Sequence, residues 1–213
     1  MRIIVYYIKD MLPVMVMALP IVFIVRVIAV KVRKKQRGSH NWYHEIGLGI
    51  FVLFLTGLAS QTIVPVWGIS LEGPEMPGIA DRLSSINLIP FQALIIIARI
   101  ISNGGIPERE IVQLFGNIGM FIVPGFMLPL LWRSFQNMSK TVLVCALISF
   151  TIEFTQLFTG RSTDIDDLLL NTLGGILGFL IFAAVKRSAL AKISERFHSI
   201  PRESIMTKDK GEV

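Results

Sequence analysis

An all-α, polytopic membrane protein is the fold class this sequence predicts, and three observations predict it. Hydrophobic residues make up 53% of the 213-residue chain and charged residues only 17%, whereas a soluble domain sits near half apolar and a quarter charged. Apolar runs of about 18 residues or more, long enough to cross a bilayer, occur at roughly 11–31, 46–66, 111–132, 141–158 and 168–185. The alternating strands of a membrane barrel are missing from the sequence. Helices, which pair their own backbone groups in lipid, are the remaining solution.

The first run is too long for a cleaved signal peptide and lacks a small-residue cleavage site. It ends in the stop-transfer cluster "KVRKKQRGSHNWYHE" at 31–45. After the second run comes a long connection, 67–110. Its Gly/Pro-rich part at 73–78 reads as a stiff loop. Residues 86–101 are apolar but short and contain Pro90. They are predicted to form a re-entrant or interfacial segment rather than a sixth span. "NGGIPERE" (103–110) reads as a turn and then a helix start, with Pro107 at the first helical position and Glu108 and Glu110 near the positive helix end.

The third run carries Pro124 and Pro129, which are expected to bend it. The fourth holds the only cysteine, Cys145, so no intrachain disulfide forms and its expected role is packing. "GRSTDIDD" (160–167) opens the fifth run. Ser162, Thr163 or Asp164 can cap that helix, with Asp166 and Asp167 in its first turn. Gly174, Gly175 and Gly178 allow close helix approach. Residues 1–187 form the membrane domain, and 188–213 a basic tail, loosely attached after about 199.

The net charge of +6 does not indicate a nucleic-acid partner, because its distribution is topological. Segments 31–45, 133–140 and 186–213 hold fourteen Lys/Arg, and the alternating connections hold six. The positive-inside rule therefore predicts the N-terminus outside and the C-terminus, with its tail, in the cytoplasm. A crossing by 86–101 would reverse the tail, which argues again that it does not span.

On this topology, polar residues gather at one depth in the outer leaflet. At 1.5 Å per residue, Asn117 lies about 9 Å deep, Glu153 and Gln61 about 8 Å, and Asn171 about 5 Å. Gln113, Gln156 and Asp167 each stand one turn from one of these, so each pair shares a helix face and can point into a common cavity. Amides at such positions commonly hydrogen-bond between helices. Glu153 differs: a carboxylate in hydrocarbon costs about 2.5–3.5 kcal/mol and marks function by default. Asp164, Asp166 and Asp167 beside Arg161 read either as helix-start acids or as a charged cluster at a pocket mouth.

Other chemistry is sparse. His40 and His44 are four apart, without an evident third metal ligand. All three histidines fall on the predicted inner side, so no Ser/His/Asp triad forms. Neither a phosphate-binding glycine loop nor a Cys/His zinc pattern is present. No catalytic residue, metal or cofactor is assigned from the sequence.

Three blocks carry a resemblance. "NLIPF" (87–91), "GNIGMFIVPGFMLPLL" (116–131) and "SFTIEFTQLFTGRSTDIDDLLLNTLGG" (149–175) resemble the VanZ-like family of bacterial integral membrane proteins, over about 80–185. The family pattern falls on Asn87, Pro90, Asn117, Pro124, Gly125, Glu153, Gln156, Arg161, Asp164, Asp166, Asp167, Asn171 and Gly174. The resemblance implies a cell-envelope protein of the bacterial membrane that lowers susceptibility to teicoplanin-type lipoglycopeptides. Three mechanisms stand open. One is binding of a lipid-anchored ligand or wall precursor at the outer leaflet, with Asn87, Asn117, Glu153, Gln156, Arg161, Asp164, Asp166, Asp167 and Asn171 as candidate binding residues. The second is an intramembrane enzyme acting on a lipid-linked or surface substrate, with Glu153 as base, Arg161 as anion holder and the three aspartates on a divalent metal. The third is a small proton-coupled transporter, disfavoured by the missing inverted repeat. Membrane lipids are the one partner common to all three.

Overall fold

The computed structural model describes residues 2–37, 41–62, 86–159, 163–188 and 191–198. The stiff loop expected at 73–78, His40, Arg161 and the chain beyond 198 lie outside the described residues. Long helices dominate: α1 (Arg2–Arg37), α2 (Trp42–Thr62), α4 (Glu108–Leu131), α5 (Met138–Thr159) and α6 (Ile165–Arg187). Two shorter helices are α3 (Gln92–Ser102) and α7 (Ala191–Glu195). A 3-10 turn, Arg133–Phe135, joins α4 to α5. The five long helices are long and apolar enough to cross a membrane, and the chain is a multi-pass membrane protein.

The helices begin three or four residues before the hydropathy runs, at 42, 108, 138 and 165. The reason is local. A hydropathy window detects apolar residues, but the first helical turn favours polar side chains that satisfy unpaired N–H groups. Asn41 shows this for α2: its Oδ1 accepts from the backbone N–H of Tyr43 at 3.1 Å and His44 at 3.4 Å. Likewise α1 continues to Arg37 through the basic cluster, since Lys and Arg are good helix formers.

Consecutive long helices are antiparallel. In the α1–α2 hairpin, Gly57 packs against Met11 and Met15, and Arg26 forms an ion pair with Glu45 at the other end of the contact. In the α5–α6 hairpin, Gly175 packs on Cys145 and Asn171 bonds Ser149. The tightest contact is between α4 and α6, which run parallel. A Cβ at Gly174 would collide with the carbonyl oxygen of Ile118, and one at Gly178 with that of Ile122. Gly125 meets the Gly175 backbone in the same way. These obstacles are backbone, which cannot swing aside, so only glycine lets the two helices approach this closely.

The core lies where α2, α4 and α5 meet. It includes Phe51, Leu58, Phe121, Leu128, Leu131, Cys145 and Ile152. The outer faces are also apolar: Val16, Met17, Phe23, Leu143, Phe150 and Phe154 are all exposed. An apolar interior beneath an equally apolar surface is what lipid solvent requires.

Helix α3 does not cross. It spans 11 residues, about 16 Å of helix. Its start is tied to Asp166 at the beginning of α6. The chain then returns to start α4, whose Gln113 and Asn117 bond the adjacent Asp167. Segment 86–107 therefore leaves and re-enters at one end of the bundle, here called the Asp164 end. The opposite end, holding Asn41, the 3-10 turn and α7, is called the Asn41 end.

Candidate functional site

The Asp164 end is built from helix starts. Asp164 is the N-cap of α6, with extended backbone at φ −128° and ψ 127°. Its Oδ1 accepts from the N–H of Asp166 at 2.9 Å. An acceptor here satisfies one of the orphan donors of the first turn. The same oxygen accepts from Asn87 Nδ2 at 3.0 Å. Asn87 is held along its backbone too: its N–H donates to the Thr163 carbonyl at 2.9 Å, and its carbonyl accepts from Ile165 at 3.0 Å. This short parallel bridge stitches the 86–91 segment to the start of α6.

Asp166 secures the next stretch. Its two carboxylate oxygens accept from the backbone N–H of Phe91 and, at 2.8 Å, of Ala93. A carboxylate from α6 thus caps α3, which has no capping side chain of its own. Phe91 has φ 64°, a left-handed conformation costing a bulky residue about 1–2 kcal/mol. Charge-assisted bonds from the buried Asp166 offset that strain.

Glu153 reaches the network from α5. It is only 6% exposed, and its Oε2 accepts from the Asp164 N–H at 3.1 Å. Thr163 Oγ1 donates to the Glu153 backbone carbonyl at 3.3 Å. Asp167, half-buried, faces α4. It accepts from Asn117 Nδ2 and, over a long 3.5 Å, from the exposed Gln113 Nε2.

The structure therefore joins Asn87, Glu153, Asp164 and Asp166 in one network and pairs Asn117 with Asp167. It leaves two residues apart. Gln156 donates to the Thr62 carbonyl of α2 at 3.0 Å. Asn171, one turn below Asp167 on α6, donates to Ser149 Oγ at 2.9 Å. Its buried Oδ1 has no hydrogen-bond partner among the described residues. The aspartates that could have shared a divalent cation turn to different partners instead. Among the described residues, no group of three or more His, Cys, Asp or Glu side chains converges to hold a metal. Chemically, the arrangement offers one partly open acceptor, Asp167 with its two amides, above a buried carboxylate.

Sequence reasoning gave no account of a second polar cluster, at the Asn41 end. There Asn41 Nδ2 donates to the backbone carbonyls of Arg196 and His198 at 2.7 and 2.8 Å. His44 Nδ1 lies 2.9 Å from the Phe197 carbonyl, so that nitrogen is a donor and is engaged within the chain. Arg133 bridges to Glu195 at 3.0 Å. The available signal was Asn41 standing just before a helical run.

Five apolar helices, two of them joined by a glycine seam, with carboxylate-capped helix starts at one end, define a class: a multi-pass α-helical membrane protein with a polar network at one end of the bundle. The VanZ/LLP1 family model matches residues 49–186, and the chain belongs to that family. The match covers α4, α5, all but the last residue of α6 and every residue of the Asp164 network. No curated protein and no solved structure matches the chain.

Proposed function

We propose that this protein acts on the cell envelope of a bacterium from the outer leaflet, binding a lipid-anchored ligand or wall precursor at the Asp164 end. On this reading the N-terminus and the Asp164 end face outward, and the Asn41 end with its basic tail faces the cytoplasm. One observation carries the proposal. The half-buried Asp167, with Asn117 and Gln113, adjoins a short helix whose Leu94, Ile95 and Ile101 are exposed. An amphiphile matches both parts, its polar group on the carboxylate and amides and its chain along the aliphatic face.

Such a site distinguishes ligands by whether they carry an acyl chain. Teicoplanin-type lipoglycopeptides carry one and vancomycin does not. Expression of the protein is therefore expected to lower susceptibility to teicoplanin, leave vancomycin unaffected, and give no protection against deacylated teicoplanin. Equal protection against the acylated and deacylated drugs would refute the proposal. Glu153→Gln keeps an acceptor for the Asp164 N–H, and Asp167→Asn keeps the side chain's shape. At matched membrane levels both variants are expected to lose protection while remaining folded.

A further inference from the structure

The cluster at the Asn41 end belongs to no part of the proposed site. It ties α7 and the residues after it to the start of α2, the α4–α5 connection and the end of α6. Asn41 and His44 hold the 196–198 backbone to the start of α2. Arg133, after α4, pairs with Glu195. The contact with α6 runs through Gln136, which lies between Lys186 and His198.

The last contact fixes a protonation state. Lys186 Nζ carries only hydrogens, so it donates to Gln136 Oε1. The other end of that amide, Nε2, is then a donor, and it lies 2.8 Å from His198 Nε2. A donor requires an acceptor, so His198 Nε2 is unprotonated and the ring is neutral, with its proton on Nδ1. That Nδ1 has no hydrogen-bond partner among the described residues, and His198 is only 3% exposed. A second proton would set Nε2–H against the amide N–H, with Glu195 Oε1 the nearby acceptor only at 3.6 Å. If the amide turned over, it would set its NH2 group against Lys186. Either arrangement leaves two donors facing each other.

We propose that residues 191–198 form an acid-released clasp, which closes the Asn41 end while His198 is neutral and lets go when His198 gains a proton. Among the described residues, charged and titratable groups face His198 and its clasp from each element packed there. Glu195, 3.6 Å away, favours protonation. Lys186 from α6 and Arg133 from the 3-10 turn oppose it. Tyr43 and His44 from α2 contact Phe197 and so face the clasp. His44 is already the donor to Phe197, so its own protonation leaves that bond intact. Burial, the largest influence, holds His198 below the ordinary imidazole value of 6.5. The docked clasp therefore binds fewer protons than the released one. Its stability is complete above pH 6.5 and falls as the pH drops through the lowered value.

The test is the mobility of a spin label on Lys192→Cys, in the full chain with Cys145→Ala, in lipid nanodiscs from pH 8 to pH 4.5. The label is expected to be ordered at pH 8 and mobile in acid, with a midpoint below 6.5. His198→Gln supplies a non-titrating acceptor opposite Gln136 and is expected to stay ordered throughout. Lys186→Met frees the amide to turn its oxygen toward a protonated His198, and should lower the midpoint by one unit or more or remove the transition. A label that stays ordered at every pH without either variant overturns the proposal. So does an unchanged midpoint in His198→Gln or in Lys186→Met. Should the His198→Gln clasp fail to dock at all, Lys186→Met decides alone.

Discussion

The two ends of this bundle solve the same problem by opposite means. At the Asp164 end, α3, α4 and α6 begin, and side-chain carboxylates bond mainly to backbone N–H groups. At the Asn41 end, α4 and α6 finish, and Arg133, Lys186 and Arg187 gather there. Acids at helix starts and cations at helix ends both complement the helix dipole. The difference lies in what holds the chain. Asp166 is fixed by two backbone donors and Asp164 by one beside the Asn87 amide, and none of these donors titrates. At the Asn41 end, Asn41 and His44 also hold backbone carbonyls, but the ties through Arg133, Gln136 and Lys186 are side chains meeting side chains, which can change partner or protonation. One end is a rigid frame around a partly open carboxylate, and the other can respond to its surroundings.

Four substitutions break or sharpen that comparison. Arg26→Leu removes the guanidinium from Glu45, which is 9% exposed. Breaking a buried ion pair in this way is expected to cost about 3–5 kcal/mol, read as loss of folded protein in bilayer-based denaturation. A smaller effect would show that Glu45 reaches water when Arg26 is gone.

Gly178→Leu attacks the seam joining both ends. Its Cβ would strike the Ile122 carbonyl, and the expected cost is about 3 kcal/mol. Cross-linking between cysteines placed on α4 and α6 should be lost along with stability. Asp166→Ala acts on the rigid end alone and leaves two backbone N–H groups without their carboxylate. A loss of about 2 kcal/mol is expected, with faster hydrogen exchange confined to the start of α3. Exchange that rises equally at the Asn41 end would disprove the separation of the two ends.

Asn171→Leu should do least to stability, about 0.6 kcal/mol, the usual worth of one hydrogen bond between membrane helices. It is the most informative of the four. Lost protection against teicoplanin with retained stability would assign the buried Oδ1 of Asn171 to ligand or water rather than to packing.

Much of this was legible in the sequence, for reasons that can be named. Five apolar runs predicted five crossing helices, and Pro90 in a short run predicted a segment that does not cross. Asp164 was readable as a helix cap because capping is local: the acceptor and its donor at Asp166 are two residues apart. Gly174, Gly175 and Gly178 announced a close approach. The sequence did not say that the partner is α4, running parallel, rather than a second copy of α6.

What the tertiary structure decided is which groups meet. Asp166 reads as an ordinary first-turn acid, yet it bonds residues 73 and 75 positions away and caps a different helix. Asn171 and Asp167 share a face by spacing, but their bonds go to α5 and α4. Arg26 found Glu45, and the segment after α6 found both the start of α2 and the α4–α5 connection. Periodicity, capping and hydropathy are properties of one segment in its solvent, so the sequence carries them openly. Partnership depends on how each helix is rotated and which neighbour it packs against, and the backbone contacts between α4 and α6 settle that only when the whole bundle has closed.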